Sequence, residues 1–367
     1  MSTPSTHPSH DNNAPIRVLV VDDSVFMRGT ISRMLQSDPQ IKVIDTAKNG
    51  LEALEKAKRH APDVVTLDIE MPVMDGRTAL KLIKRECNPP PAVLMCSSLT
   101  TQGSHEALAS LRAGASDVIA KDGSATINDV DKMAVELIAK IKAVAPCRRV
   151  LPGPTPSDAA KITPDHTFAP DTFQLMLIGS STGGPPVVEQ IVSMLPADLN
   201  MPVVIAQHMP VTFTQSLAHR MDEQSHLSVV HGQDGLPIRP GMVVVCPGGL
   251  HTRVHKSANA FRLECSSEPK SELYRPSVNE LFASGAKAAG GKVLSIICTG
   301  MGEDGLVGSR TLKSLGGTLL AQEASTCVVY GMPRAVVLAG MADGIMSPEQ
   351  LAHLVSRLGA SGARLAA

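Results

Sequence analysis

The 367-residue sequence contains no tryptophan, two tyrosines and six phenylalanines. Its cores must therefore be aliphatic, and a 43% apolar composition supplies them. It also lacks an excess of charge of either sign: 34 basic residues meet 35 acidic ones, for a net charge of −1. That balance leaves no electrostatic footprint for nucleic acid or an anionic membrane. No apolar run approaches the roughly 20 residues that span a bilayer, so direct membrane insertion is not expected. The cysteines Cys87, Cys96, Cys147, Cys246, Cys265, Cys298 and Cys327 are scattered, odd in number and free of any CxxC pair. They read as reduced thiols, most of them in cores, rather than as a disulfide framework. The opening MSTPSTHPSHDNNAP has no basic-then-apolar leader. Residues 1–14 read as a disordered polar tail, and cytoplasmic residence is the expectation.

What is present is a strand–helix alternation, twice. IRVLVVDD, IKVIDTAKNG, DVVTLDIEMP, AVLMCSSL and SDVIAKD are short apolar runs, each followed by a helix-like stretch. Five such repeats predict a parallel sheet with helices on both faces, over residues 15–144. Residues 145–170 carry proline at about every fourth position with little periodicity and read as a linker. From residue 171 to 367 the alternation resumes with FQLMLIGSS, MPVVIAQH, MVVVCPGG, KVLSIICTG and GTLLAQE, and helical stretches lie between them. This predicts a second, doubly wound and mostly parallel α/β domain.

Open α/β sheets bind ligands at the carboxyl ends of their strands. In the first domain those ends carry Asp22 and Asp23, then Asp68, then Ser97, then Lys121. Three carboxylates at one edge repel unless a hard cation neutralises them. Mg²⁺ suits such a site because it takes few carboxylates, several waters and a phosphoryl oxygen. A lysine and a hydroxyl beside it can bind the remaining phosphoryl oxygens. Asp68 would then be the nucleophile that forms an aspartyl phosphate. The joint order VVDDS, DIEMPVMDG, CSS and AK resembles the response-regulator receiver domain over about 130 residues. The resemblance implies a flavodoxin-like (βα)5 fold and phosphorylation of Asp68 by a histidine kinase. It also implies Mg²⁺ held by Asp22, Asp23, Asp68 and the carbonyl of Glu70, with Ser97 and Lys121 sensing the phosphoryl group. Two positions depart from the receiver pattern. Asp122 stands where proline usually follows the lysine, and Val118 where an aromatic is common.

In the second domain LIGSSTGGPP ends an apolar run in a small-residue loop, at 177–186. It fits G-x-S-x-G centred on Ser181, a serine on a bent strand-to-helix turn. It fails as a Walker A loop, since no GK[ST] follows. It also fails as a dinucleotide fingerprint, on glycine spacing and because Pro185 and Pro186 stand where the helix should run. A nucleophilic serine needs a base and an orienting acid. The next strand ends at His208, and the glycine-rich loop TGMGEDG carries Glu303 and Asp304. A parallel sheet would bring these ends to one edge. Ser181 would attack, His208 take its proton and Asp304 fix the imidazole tautomer, with the backbone N–H groups of Thr182 and Met301 holding the oxyanion. Asp304 has a second reading as the cap of a helix starting near Leu306, and Glu303 is the rival acid.

Together GSSTGG, QHMP, PGG-x-H (Pro247 to His251), RPSV (Arg275 to Val278), TGMGEDG and YGMPRAV (Tyr330 to Val336) resemble the catalytic domain of the chemotaxis protein-glutamate methylesterases, the CheB family. The resemblance implies a phosphorylation-activated serine esterase with Ser181, His208 and Asp304 as its catalytic residues. The implied substrates are glutamate γ-methyl esters, and specific glutamines, on methyl-accepting chemoreceptor cytoplasmic domains. Mg²⁺ belongs to the receiver, and the catalytic domain needs no cofactor. His251 and Arg275 lie in the shared motifs, and Asn279 stands where the family usually has aspartate. Two other readings stay open here: a non-enzymatic response regulator whose second domain binds a partner or nucleotide, and a receiver-controlled esterase with a different substrate.

Overall fold

The computed structural model describes residues 14–121, 127–145, 162–169, 171–257 and 260–358, with the side chains of 127–130 and 132 left undescribed. The tail 1–13, Asp122, Cys147 and the linker residues 146–161 and 170 lie outside the described residues.

The first sheet has the order β2-β1-β3-β4-β5, with every neighbouring pair parallel. Its strands are β1 (Ile16–Val21), β2 (Ile41–Ala47), β3 (Val64–Asp68), β4 (Ala92–Ser98) and β5 (Asp117–Lys121). The helices are α1 (Val25–Gln36), α2 (Gly50–His60), α3 (Gly76–Glu86), α4 (Thr101–Arg112) and α5 (Ile127–Val144). The central strand β3 is buried along its whole length, as a strand covered by helices on both faces must be. Ser24, Asn49, Asp75 and Thr100 start α1 to α4 by accepting a hydrogen bond from the backbone N–H three residues on. α3 shows why the pattern folds: Ala79, Leu80 and Ile83 are buried on one side while Lys81, Lys84 and Arg85 are not.

The second sheet is a seven-stranded parallel one of order β15-β14-β13-β6-β7-β10-β8. Its strands are β6 (Leu175–Ser180), β7 (Val203–Gln207), β8 (Ser228–His231), β10 (Met242–Val245), β13 (Val293–Ile297), β14 (Thr318–Gln322) and β15 (Gly344–Met346). The helices are α6 (Gly184–Ser193), α7 (Val211–Asp222), α8 (Val278–Ala288), α9 (Leu306–Ser314), α10 (Met332–Leu338) and α11 (Pro348–Val355). Pro185 and Pro186 do not prevent α6. They occupy its first turn, where the missing N–H is not needed. A small antiparallel sheet of β9 (Pro237–Ile238), β11 (His251–Ser257) and β12 (Ala260–Ser266), which the alternation did not predict, flanks the main one.

Each parallel sheet has one switch point, where successive strands part to opposite sides. It lies between β1 and β3 in the first sheet and between β6 and β13 in the second. Ile162–Ala169, counted in the sequence as linker, packs on the second sheet's unit. Arg357 donates to the carbonyls of Pro164 and His166, and the Phe168 and Phe173 rings lie 4.8 Å apart.

The two units touch through α4, β5 and α5. Glu189 of α6 is buried and takes Arg112 Nε of α4 and Arg220 Nε of α7, each at 2.7 Å. Thr182 Oγ1 donates to Asp117 Oδ2 at 2.7 Å, and Lys140 Nζ of α5 lies 3.1 Å from the same oxygen. The apolar cluster of Ile31, Leu137 and Ile141 continues to Val329, with Val328 and Met301 packed against it.

Candidate functional site

The acids at the first switch point converge. Asp22, Asp23 and Asp68 each offer a carboxylate oxygen within 4.8 Å of the others. Asp23, Asp68, Glu70, Ser97 and Lys121 line a cavity of about 370 Å³. The Lys121 ammonium lies 2.7 Å from Asp22 Oδ2 and 2.6 Å from Asp68 Oδ1, so a cation already holds part of this charge. Burial pushes the Asp68 carboxyl up to about 6, opposed by Lys121 and reinforced by the neighbouring Asp22. The donor set is oxygen-only and acidic, which fits a hard divalent ion. Ser97 lines the cavity, but its hydroxyl donates to Gly103 O in the first turn of α4, at 2.9 Å. Val118 is buried within β5.

The second switch point gathers the other candidates. β6 and β7 pair with Ser180 beside Gln207, so Ser181 and His208 emerge next to each other. His208 N donates to Ser180 O at 3.1 Å and Gln207 Nε2 to Ser181 O at 2.8 Å, which fixes the two strand ends together. Gly183 takes a φ of +75°, which lets the chain turn from Ser181 into α6. On the other side, a Cβ at Gly300 would sit 2.7 Å from Ser181 Cβ, so the loop after β13 can come this close only with glycine.

His208 Nε2 lies 2.9 Å from Asp304 Oδ2. The same carboxylate accepts from Val278 N at 2.7 Å, from Asn279 N and Gly305 N at 2.9 Å, and from Ser277 Oγ at 3.2 Å. It therefore sits on the N-terminus of α8, where free N–H groups and the helix dipole favour an anion. Burial would raise its pKa, but the His208 partner and these N–H donors outweigh that and hold Asp304 below the usual carboxylate range. An ionised Asp304 requires the proton on Nε2. That leaves Nδ1 as the nitrogen able to take a proton, and among the described residues it is buried without a hydrogen-bond partner. Among the described residues no hydrogen bond joins Ser181 Oγ to the ring, and apo sites often keep such contacts long.

Backbone donors remain at this edge among the described residues. Ser181 N is taken by Thr299 O at 3.1 Å, whereas among the described residues no hydrogen bond takes Thr182 N or Met301 N. Thr299 Oγ1 donates to Thr182 O at 2.9 Å and accepts from Val329 N at 3.0 Å, which holds the first of these loops.

Asp304 does not cap α9. Asn279 Oδ1 accepts from Gly305 N and Gly308 N, each at 2.9 Å, and performs that task from α8. Glu303 is exposed and takes no part in the cluster. His251 is buried in β11 with Nε2 3.0 Å from Pro269 O, a contact that ties down the hairpin. Arg275 O accepts from Gly249 N at 3.1 Å, joining the PGG-x-H and RPSV loops. Sequence reasoning missed Tyr274, whose ring stacks on His208 with centroids 4.3 Å apart and planes 11° apart. It also missed Ser277 as an Asp304 donor. Ser277 followed by Glu280 three residues later is a helix-start signature that marks this turn.

Of the described cysteines, Cys87, Cys96, Cys246 and Cys298 are buried, and burial pushes the thiols of Cys96, Cys246 and Cys298 up to about 12. Among the described residues no helix is long and apolar enough to cross a membrane.

Comparison with known proteins gives two family matches: CheB methylesterase over residues 176–355 and response regulator receiver domain over residues 18–129. The chain is 44% identical over 364 residues to protein-glutamate methylesterase/protein-glutamine glutaminase 1 of Oleidesulfovibrio alaskensis, across 93% of this chain and 98% of that protein. A protein-glutamate methylesterase/protein-glutamine glutaminase of Lawsonia intracellularis is 41% identical over 353 residues, again across 93% and 98%. Protein-glutamate methylesterase/protein-glutamine glutaminase 2 of Nitratidesulfovibrio vulgaris is 42% identical over 363 residues, with the same coverage.

Proposed function

The chain belongs to the CheB methylesterase family of protein-glutamate methylesterases and protein-glutamine glutaminases, in which a response regulator receiver domain governs the hydrolase, and we propose the residues by which it does this chemistry. Residues 15–144 are the regulator, 145–170 the connection and 171–367 the hydrolase. Ser181 is the nucleophile, His208 the general base and Asp304 the group that orients it. The observation that carries this reading is the 2.9 Å contact of His208 Nε2 with Asp304, beside the strand end that bears Ser181.

Ser181 Oγ attacks the γ-carbonyl of a glutamyl methyl ester while His208 Nδ1 takes its proton. Asp304 stays ionised and stabilises the imidazolium. Thr182 N–H and Met301 N–H donate to the oxyanion, which then collapses and expels methanol with the proton from His208. Water attacks the acyl-enzyme by the same route and releases glutamate. With glutamine the leaving group is ammonia and the rest is unchanged. The substrates are chemoreceptor cytoplasmic domains, and cytoplasmic residence accords with the buried thiols of Cys96, Cys246 and Cys298.

In the regulator, Asp68 accepts a phosphoryl group from a chemotaxis histidine kinase. Asp22, Asp23, Asp68 and the Glu70 carbonyl hold Mg²⁺, which when bound offsets the phosphoryl charge. Ser97 and Lys121 turn toward the new oxygens, and Ser97 then gives up Gly103 O of α4. α4 contacts α7, and the adjoining β5 holds Thr182 through Asp117, so rearrangement here loosens the regulator from the hydrolase. Phosphorylation must favour the released state by differential stability, since nothing else can shift the balance.

The test is methanol release from methyl-labelled receptor membranes, with and without a small phosphodonor and Mg²⁺. Wild type is stimulated, Ser181→Ala is inactive, and Asp68→Ala keeps only the unstimulated rate. A Ser181→Ala protein as active as wild type ends the triad assignment.

A further inference from the structure

The acid–base pair leaves one degree of freedom unexplained. A single hydrogen bond from Nε2 to Asp304 fixes one atom of the imidazole but lets the ring tilt about that contact. Nδ1 must nevertheless face Ser181 for each proton transfer. We infer that Tyr274 is a positioning residue for the hydrolytic reaction, holding the His208 ring against tilt through face-to-face contact. The inference rests on the nucleophile and base assignment above.

The geometry is specific. The two ring centroids are 4.3 Å apart and the planes within 11° of parallel, so Tyr274 stacks on one face of the imidazole. Tyr274 is only half-buried, and its neighbour Leu273 is 82% exposed, so the pair is not a core contact. The segment that carries it is anchored on both sides of the base. Arg275 O accepts from Gly249 N, and Ser277, Val278 and Asn279 all donate to Asp304. One stretch of chain thus supplies both the acid's donors and the ring that clamps the base. An aromatic face also favours a cation, and His208 becomes one when it takes the serine proton.

The phenol hydroxyl has a separate opportunity. A Cβ at Gly302 would lie 3.8 Å from Tyr274 Oη, so the hydroxyl points toward the loop that carries Met301. Among the described residues it makes no hydrogen bond, and burial, with Asp304 nearby, raises its pKa further and keeps it neutral. Ring and hydroxyl therefore make different predictions, and phenylalanine separates them.

The experiment uses the full-length protein. Ser181 is titrated with a fluorophosphonate, with the modified residue located by mass spectrometry, and kcat and KM are measured for methanol release from methyl-labelled receptor membranes. We expect Tyr274→Leu to label and turn over roughly tenfold more slowly with KM little changed, a loss specific to the reacting state. Tyr274→Phe should recover at least half of the rate. In a His208→Ala background the leucine should cause no further loss of labelling, because a residue that acts through the imidazole has nothing left to act on. Tyr274→Met serves as the second non-aromatic variant if leucine prevents folding. The inference is overturned if Tyr274→Leu labels at the wild-type rate, or if phenylalanine is as slow as leucine, which would assign the role to the hydroxyl. A loss confined to KM, or one that persists without His208, also overturns it. If wild type is not labelled at Ser181, the nucleophile assignment fails and takes this inference with it.

Discussion

Asp68 and Asp304 occupy matching places in the two sheets. Each lies at the carboxyl edge beside a switch point, and each is less than a tenth exposed. Their carboxyls nevertheless move in opposite directions, Asp68 up to about 6 and Asp304 below its usual range. The difference is in what surrounds them. Asp304 rests on the N-terminus of α8 and receives donors from Ser277, Val278, Asn279 and Gly305 as well as His208. Asp68 receives the N–H of Ile69 and the Lys121 ammonium, and it faces a second buried acid, Asp22. A carboxylate already satisfied by fixed dipoles suits an unchanging orienting role. One left short of donors suits a site that gains a cation and a covalent group.

The largest effect should come from exchanging these roles by deletion. Asp304→Ala should lower methanol release by roughly three to four orders of magnitude, in stimulated and unstimulated protein alike. Asp68→Asn should lose only the stimulation. An Asp304 variant that kept its unstimulated rate would collapse the distinction.

A medium effect should appear in the pH dependence of stability. The folded protein holds the Asp68 proton more tightly than the unfolded chain does. Its contribution therefore falls as pH rises from about 4, the unfolded value, to about 6, and is level above that. Asp304 has the opposite sign: its contribution is present above the unfolded value and is lost as pH falls through its lowered folded one. Thermal unfolding across pH should show Asp68→Asn removing the decline between about pH 4 and 6, and Asp304→Asn removing part of the loss below about pH 4. Mg²⁺ should stabilise wild type more above pH 6 than at pH 4, because only the ionised cluster binds it.

The smallest effect concerns the scaffold under Asp304. Asn279→Ala leaves Gly308 N without its acceptor and Gly305 N with Asp304 alone, and should cost about 1 kcal/mol in denaturant unfolding. Asn279→Asp presents a carboxylate oxygen in place of Oδ1 and should recover most of it. Equal losses in the two variants would mean that the side chain acts by packing.

What could be read in advance follows from period and position. Apolar runs ending in acids, a serine or a histidine put Asp22, Asp68, Ser181 and His208 at strand ends, and parallel order does the rest. The hairpin β11–β12 escaped because its strands are only partly buried and polar in composition, HTRVHKS and AFRLECS, so no apolar run marks them. Asn279, Tyr274 and Asp117 act on residues 26, 66 and 65 positions away. Such contacts depend on how loops from separate strands approach, which local pattern does not encode.

β5 carries a functional group at each end, Lys121 against Asp68 and Asp117 against Thr182. If that strand couples the two sites, the coupling is reciprocal by thermodynamic necessity. A ligand in the hydrolase cleft that binds better when Asp68 is occupied must favour occupation of Asp68 by the same factor. The substrate is then an effector in its own right. Bound methyl-ester substrate would stabilise the phosphorylated form over the unphosphorylated one by that factor, and its loss would remove that stabilisation.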